Sequence, residues 1–220
     1  DSAITVSFVK SGGTSTGTFG SVVNQGNGVY TIRYTGVTAG TAQNVQLQIN
    51  GVNFGSPVAV SVLNGAPSGT TSILATSSPT VVSGSSVTIT ATLKDDNNNL
   101  ITSGYAVSFA KGGGTSTGTF GSVANNGDGT YSVTYTGVAA GSAQTISLLV
   151  DSIALGSNTV TETVTVGGPS SMLSTLTVSS NTIIAGTSST LTATIKDANG
   201  NPISTGILVM FDKIGGTSTG

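Results

Sequence analysis

The 220-residue chain contains neither cysteine nor histidine. Without cysteine there can be no disulfide framework and no thiolate zinc site, and its avoidance suits a large secreted protein that must not cross-link wrongly. Without histidine a serine nucleophile has no ordinary base. Charge is almost as scarce. Six Lys and Arg and eight Asp and Glu make up 6% of the residues, with a net charge of −2, against about 25% in a typical soluble domain. The basic residues are scattered singly, which excludes a nucleic-acid footprint, and no basic amphipathic stretch points to a membrane surface. The longest apolar run, Ile207 to Phe211, is too short to cross a bilayer. General acid–base groups are too few and too scattered for an enzyme to be expected.

What remains still folds. Hydrophobic residues make up 36% and the mean hydropathy is +0.27, the opposite of the high-charge, low-hydrophobicity signature of disorder. The dominant signal is internal repetition. Ser7 to Gln43 matches Ser108 to Gln144, shifted by 101 positions, with 26 identities over 37 positions. Ser72 to Gly118 returns at Ser174 to Gly220, shifted by 102. One unit is therefore a whole domain, not a short solenoid repeat. Short Gly/Pro/Ser joints at Asn64-Gly65-Ala66-Pro67-Ser68 and Gly167-Gly168-Pro169-Ser170 divide the chain into residues 1–66, the later part of a first unit; 67–168, a complete unit; and 169–220, the early part of a third. Ends that fall inside repeats are expected of a window on a longer polymer. The alternative is a fibre subunit whose half-domains are completed by strands of identical neighbouring chains.

Within a unit, apolar residues alternate with Thr and Ser, as in Val87-Thr88-Ile89-Thr90-Ala91-Thr92-Leu93 and at Tyr131, Val133 and Tyr135. Alternation with period two places one face of each strand in a core and the other in water. Outward Thr is β-branched and favours extended backbone. Asp95-Asp96-Asn97-Asn98-Asn99 and its copy Asp197-Ala198-Asn199-Gly200-Asn201 read as solvated turns, and Asn126-Gly127-Asp128-Gly129 as a tight hairpin with positive φ. Nothing reads as a helix. The fold class is all-β: tandem immunoglobulin-like sandwiches of about seven strands each. An odd strand count brings the chain in at one end and out at the other, so such units string into a rod, here expected to have flexible joints.

Val81-Val82-Ser83-Gly84 through Thr92-Leu93-Lys94-Asp95, and still more Ile183-Ile184-Ala185-Gly186 through Lys196-Asp197-Ala198-Asn199-Gly200-Asn201-Pro202-Ile203, resemble the first half of bacterial Ig-like (Big) repeats of invasin- and intimin-type adhesins. Asn126 to Tyr135 and Asn50 to Val58 resemble filamin-type Ig repeats, although the second unit lacks the proline at Gly156-Ser157-Asn158. The resemblance implies an extracellular, bacterial cell-surface location and a structural spacer role in an adhesin or fibre. A loop or open sheet edge binding a host protein or glycan is the rival reading.

Four features are candidate sites. Gly114-Thr115-Ser116-Thr117-Gly118, repeated at 13–17 and 216–220, fits the G-x-S-x-G elbow pattern but lacks the helix and the base, and reads as a flexible Gly-rich loop. Asp95 and Asp96 with the neighbouring asparagines could ligate Ca²⁺, but Ala198 replaces Asp96 in the third unit and no glutamate stands nearby. Lys10, Lys111 and Lys213 share one repeat position. With Glu162, which stands where the first unit has Val60, and an asparagine, Lys111 could form an isopeptide crosslink; a lysine that snorkels to solvent is the simpler expectation. The Thr-rich outward faces could bind a flat surface or a glycan but are ordinary β-forming positions. The expectation is therefore no catalytic, cofactor or metal site. The expected partners are neighbouring repeats or identical chains, with no nucleic acid and no membrane insertion in this segment.

Overall fold

The computed structural model describes residues 4–216, and among these no helix occurs. The complete middle unit is a two-sheet sandwich. Its first sheet runs β12 (Thr117–Phe120), β14 (Thr130–Ala139), β10 (Ser86–Thr92), β8 (Ile73–Thr76), with β13 (Ala124–Asn125) also on β14. Its second runs β11 (Val107–Gly112), β15 (Gln144–Val150), β16 (Ile153–Thr165), β9 (Thr80–Val82). Seven strands are reached by counting β8 and β9 as one strand that changes sheet at Ser77–Pro79, with β13 as a short addition. All pairings are antiparallel except β9 with β16, which is parallel in the register Thr80↔Thr163, Val81↔Val164, Val82↔Thr165.

The alternation read from the sequence places the core. Ile89, Ala91 and Leu93 from β10 and its extension, Tyr131, Val133 and Tyr135 from β14, Ile146 and Leu148 from β15, and Val164 from β16 are buried together. Each fully buried aliphatic side chain contributes about 1.5–3 kcal/mol relative to exposure. Phe109, Phe120 and Tyr135 form an aromatic row with centroids 6.1 and 5.5 Å apart. Gly127 and Gly129 take φ of 80° and 88° in the expected hairpin between β13 and β14.

The first unit repeats this arrangement. Strands β1 (Val6–Ser11), β6 (Gly40–Ile49) and β7 (Val52–Val62) form one sheet, and β2 (Thr16–Phe19) pairs with β5 (Tyr34–Thr38). The same bulge falls between Thr16 and Gly17 as between Thr117 and Gly118. The aromatic row returns as Phe8, Phe19 and Tyr34. The single ten-residue β14 corresponds here to two pieces, β4 (Val29–Thr31), which pairs with β3 (Val23–Gly26), and β5. The middle unit lays β14 along all of β10. Beyond the second joint, β17 (Thr175–Val178) and β18 (Leu191–Thr194) repeat the β8–β10 pairing.

Candidate functional site: the joints between units

The two Asp/Asn turns lie where one unit meets the next, and they are not simple solvated turns. Asp96, Asn97 and Asn98 are exposed, but Asp95 is only 2% exposed and Asp197 is fully buried. Asp95 Oδ1 accepts the backbone N–H groups of Asn97 and Asn99, each at 2.9 Å. Its Oδ2 accepts the N–H of Gly65 in the linker at 2.8 Å and the side-chain amide of Asn99 at 2.9 Å. The Asn99 amide reaches back into the preceding unit, donating to Val37 O at 3.0 Å and accepting from Ala39 N at 2.9 Å. One carboxylate thus ties together its own turn, the linker and, through Asn99, the neighbouring domain.

The second joint is built the same way. Asp197 accepts from Asn199 N, Asn201 N, Gly167 N and Asn201 Nδ2 at 2.8–2.9 Å. Asn201 bonds Val138 O and Ala140 N of the preceding unit, each at 2.9 Å. Asn199 Nδ2 adds a bond to Ser83 Oγ at 2.7 Å. Burial alone would raise both aspartate pKa values. At Asp95 the Asn99 amide and the N–H groups of Gly65, Asn99 and Asn97 outweigh it; at Asp197 Gly167, the Asn201 amide and the N–H groups of Asn201 and Asn199 do so. Both carboxyls are held below the usual carboxylate range, Asp197 far below it. The lone pairs that a cation would need already face N–H donors. Against the expectation of flexible joints, each joint carries a set of hydrogen bonds from a buried carboxylate to the linker and, through an asparagine, to the preceding unit.

The Gly-rich loop needs the same correction. Thr115 N donates to Ser142 Oγ and Ser142 N to Thr115 Oγ1, each at 2.9 Å; Thr14 and Thr41 repeat this reciprocal pair in the first unit. Ser116 and Ser15 are buried beneath it. Gly114, at φ 65°, lies against the backbone of Ala143, and a Cβ there would come within 2.1 Å of the Ala143 carbonyl oxygen. The loop is a pinned corner: Ser116 and Gly118 are buried, and the exposed Thr115 is held by Ser142. Residues 217–220 of the third copy lie outside the described residues. Gly114→Ala is expected to destabilise the middle unit by about 2–4 kcal/mol, measured as a lower midpoint in thermal or urea unfolding.

Lys111 and Glu162 are not joined to each other by any ion pair among the described residues. The Lys111 ammonium donates to Gly118 O and sits 5.2 Å from the centroid of the Phe120 ring. Lys10 does the same at Gly17 O and Phe19. Glu162 turns instead to the Thr76 hydroxyl. No group of three or more acidic residues that could hold a metal is found among the described residues, and no helix long and apolar enough to cross a membrane occurs among them.

A seven-strand sandwich entered at one end, left at the other and clamped to the next unit defines a tandem Ig-like array. Residues 68–167 match the family model described as invasin, domain 3, so the middle unit resembles an invasin-type bacterial Ig-like domain. Similar solved structures agree. FdeC, an adhesin of Escherichia coli, is 26% identical, with a TM-score of 0.59 over 91% of this chain and 66% of that one. Invasin, a bacterial integrin-binding protein, is 25% identical, with a TM-score of 0.55 over 90% of this chain and 40% of that one. InvD of Yersinia pseudotuberculosis shares the fold at 23% identity, with a TM-score of 0.60 over 92% of this chain and 62% of that one. The chain spans less than two thirds of the length of each. No curated protein matches it.

Proposed function

We propose that the chain is a stiff spacer segment of a bacterial cell-surface adhesin or extracellular fibre. It consists of units over residues 1–66, 67–168 and 169–220 and has no catalytic, cofactor or metal site of its own. The reading rests on one observation: the same Asp–Asn clamp, with the same donors and acceptors, occupies both joints. A sandwich alone is a compact body; a sandwich with a repeated rigid joint spans distance. The adhesin class of the matched domain supports the surface location. The rival reading, a module that binds through its retained loop, is weakened, because Thr115 is tied to Ser142 and Ser116 and Gly118 are buried, which gives part of the retained loop a packing role.

Small-angle X-ray scattering on the 220-residue chain tests this. The expected profile is that of a rod with a narrow distribution of end-to-end distances. A compact particle, or a broad distribution of inter-unit angles, overturns the reading.

A further inference from the structure

The structure holds the same unit in three forms. In the middle unit an early half, residues 67–101, closes over a late half, residues 102–168. The first unit presents a late half and the third unit an early half, each with its inner face uncovered among the described residues. Leu74, Ile89, Ala91, Leu93 and Ile101 meet Tyr131, Leu148 and Val150 in the middle core, with Val107 and Phe109 packed against it. At the same repeat positions stand Leu176, Leu191, Ala193, Ile195 and Ile203 in the third unit, and Tyr30, Leu47, Ile49, Val6 and Phe8 in the first. We propose that the open face of the first unit is a docking site for the third unit of a second copy of this chain, and that the two halves together make a composite sandwich with the core of the middle unit. The proposal goes beyond the spacer reading and does not depend on the stiffness of the joints.

Apolar burial drives the association. Tyr131 is 3% exposed and its counterpart Tyr30 37%; Ile89 is fully buried and its counterpart Leu191 is 53% exposed. Val6, Phe8, Tyr30, Leu47 and Ile49 line a cavity of about 630 Å³, on the side that the early half fills in the middle unit. Covering this surface removes apolar area from water. The backbone adds direction. β10 lies along β14 in the register Ser86↔Thr136 to Thr92↔Thr130. β18 keeps the partner that β10 has on its other side, and β4 and β5 keep the partners that β14 has on its other side. Among the described residues, the two strand edges that face each other in the middle unit are therefore without a strand partner in the outer units, and each is the template for the other.

The segment present in both outer units does not obstruct docking. Residues 107–112, which form β11, correspond to 6–11 and to 209–214. In the first unit this segment is β1, beside β6; in the third it forms no strand. The strand therefore belongs with the late half, and a docking copy brings no rival for it. In the middle unit the chain passes from one half to the other through the exposed residues 102–104, so a docking copy leaves the composite at the surface beyond Ile203. Nothing in the recognition requires both halves to lie on one chain. With a net charge of −2, two copies repel each other little. An early half on a late half is a head-to-tail contact, so copies add end to end without closing.

Analytical ultracentrifugation of the 220-residue chain across a dilution series tests this. The mass is expected to rise with concentration from 21.4 kDa through successive multiples. Tyr30→Asp disables the face of the first unit and Leu191→Asp that of the third. Both residues are exposed in their own half-units, so neither substitution removes packing within the chain. Each variant alone is expected to stay monomeric. An equal mixture is expected to form a dimer that grows no further, because each variant supplies the half that the other retains. A native chain that stays at 21.4 kDa up to millimolar concentration overturns the proposal. So does a variant that associates alone as the native chain does, since the contact then lies elsewhere or pairs one face with itself. A mixture that stays monomeric overturns it too. The scattering experiment is made on dilute, monomeric chain and reads the angles within it, so failure of the spacer reading and failure of docking are distinguishable.

Discussion

Replacing Asp95 and Asp197 together by alanine is expected to turn the stiff spacer proposed above into a flexibly jointed chain. Each substitution strands three backbone N–H donors that the native carboxylate satisfies and removes one acceptor of an asparagine amide. A buried donor without a partner costs about 1–3 kcal/mol, less where water can reach it, so about 2–5 kcal/mol per site is expected. Unfolding midpoints report the stability loss, and scattering reports the broadened angle between units. Asn99→Ala separates the two effects. It leaves three of the four donors on Asp95 and deletes the amide that bridges to Val37 and Ala39, so it should loosen the first joint at a smaller cost in stability. If both variants scatter like the native chain, the carboxylates do not hold the joints.

The pH dependence follows from the same bonds. A carboxyl whose folded pKa is depressed binds fewer protons in the native state, so its contribution is fully present above the unfolded value of about 3.9 and is lost as pH falls through the folded value. The joints should therefore keep their stiffness through neutral and mildly acidic solution and loosen only below about pH 4.

Glu162 gives the second large effect, with the opposite sign. It is fully buried, and its Oε2 has no hydrogen-bond partner. Burial pushes its pKa up, and the Thr76 contact only partly opposes this. Thr76 Oγ1 also lies 2.8 Å from Ser78 O. A hydroxyl has a single proton, so a neutral Glu162 that donates to Thr76, while Thr76 donates to Ser78, satisfies both contacts. An ionised Glu162 cannot. A carboxyl with a raised folded pKa favours the native state most below the unfolded value, and this advantage is lost as pH rises through the folded value. Glu162→Gln, which keeps the shape and removes the charge, should stabilise the unit at neutral pH by about 1–3 kcal/mol and flatten the decline in stability above about pH 4.5. The first unit already carries Val60 opposite Gln43, where the middle unit sets Glu162 opposite Gln144. An unfolding midpoint that falls in the Gln variant at pH 7 would show that the charge is compensated after all.

Much of this was legible in the sequence, because much of it is local. Alternation in Val87 to Leu93 named the buried face, Asn126 to Gly129 named a hairpin, and the 101-residue shift carried the bulge at Thr117 into the first unit. The joints were not legible, because their burial comes from another unit. A run of five Asp and Asn residues looks solvated until Val37 and Ala39, some sixty positions earlier, dock on it. A signal was nevertheless present. Positions 95, 97 and 99 keep their Asp, Asn and Asn at 197, 199 and 201, whereas the exposed Asp96 and Asn98 become Ala198 and Gly200. The Gly-rich loop looks flexible in the sequence for the same reason, since the residues that pin it lie 27 positions away. The change of sheet at Ser77–Pro79 left no local trace beyond a proline.

Two joints that share the same Asp–Asn hydrogen bonds have a consequence for any longer run of such units. Whatever turn and advance one clamp imposes between neighbours, the next clamp imposes again. A fixed rotation and step applied repeatedly generates a screw. A stalk built this way has a pitch and a handedness written into a five-residue turn. Side chains at a given repeat position then wind around it as a helical stripe, so the number of units sets both how far the tip stands from the base and which way it faces.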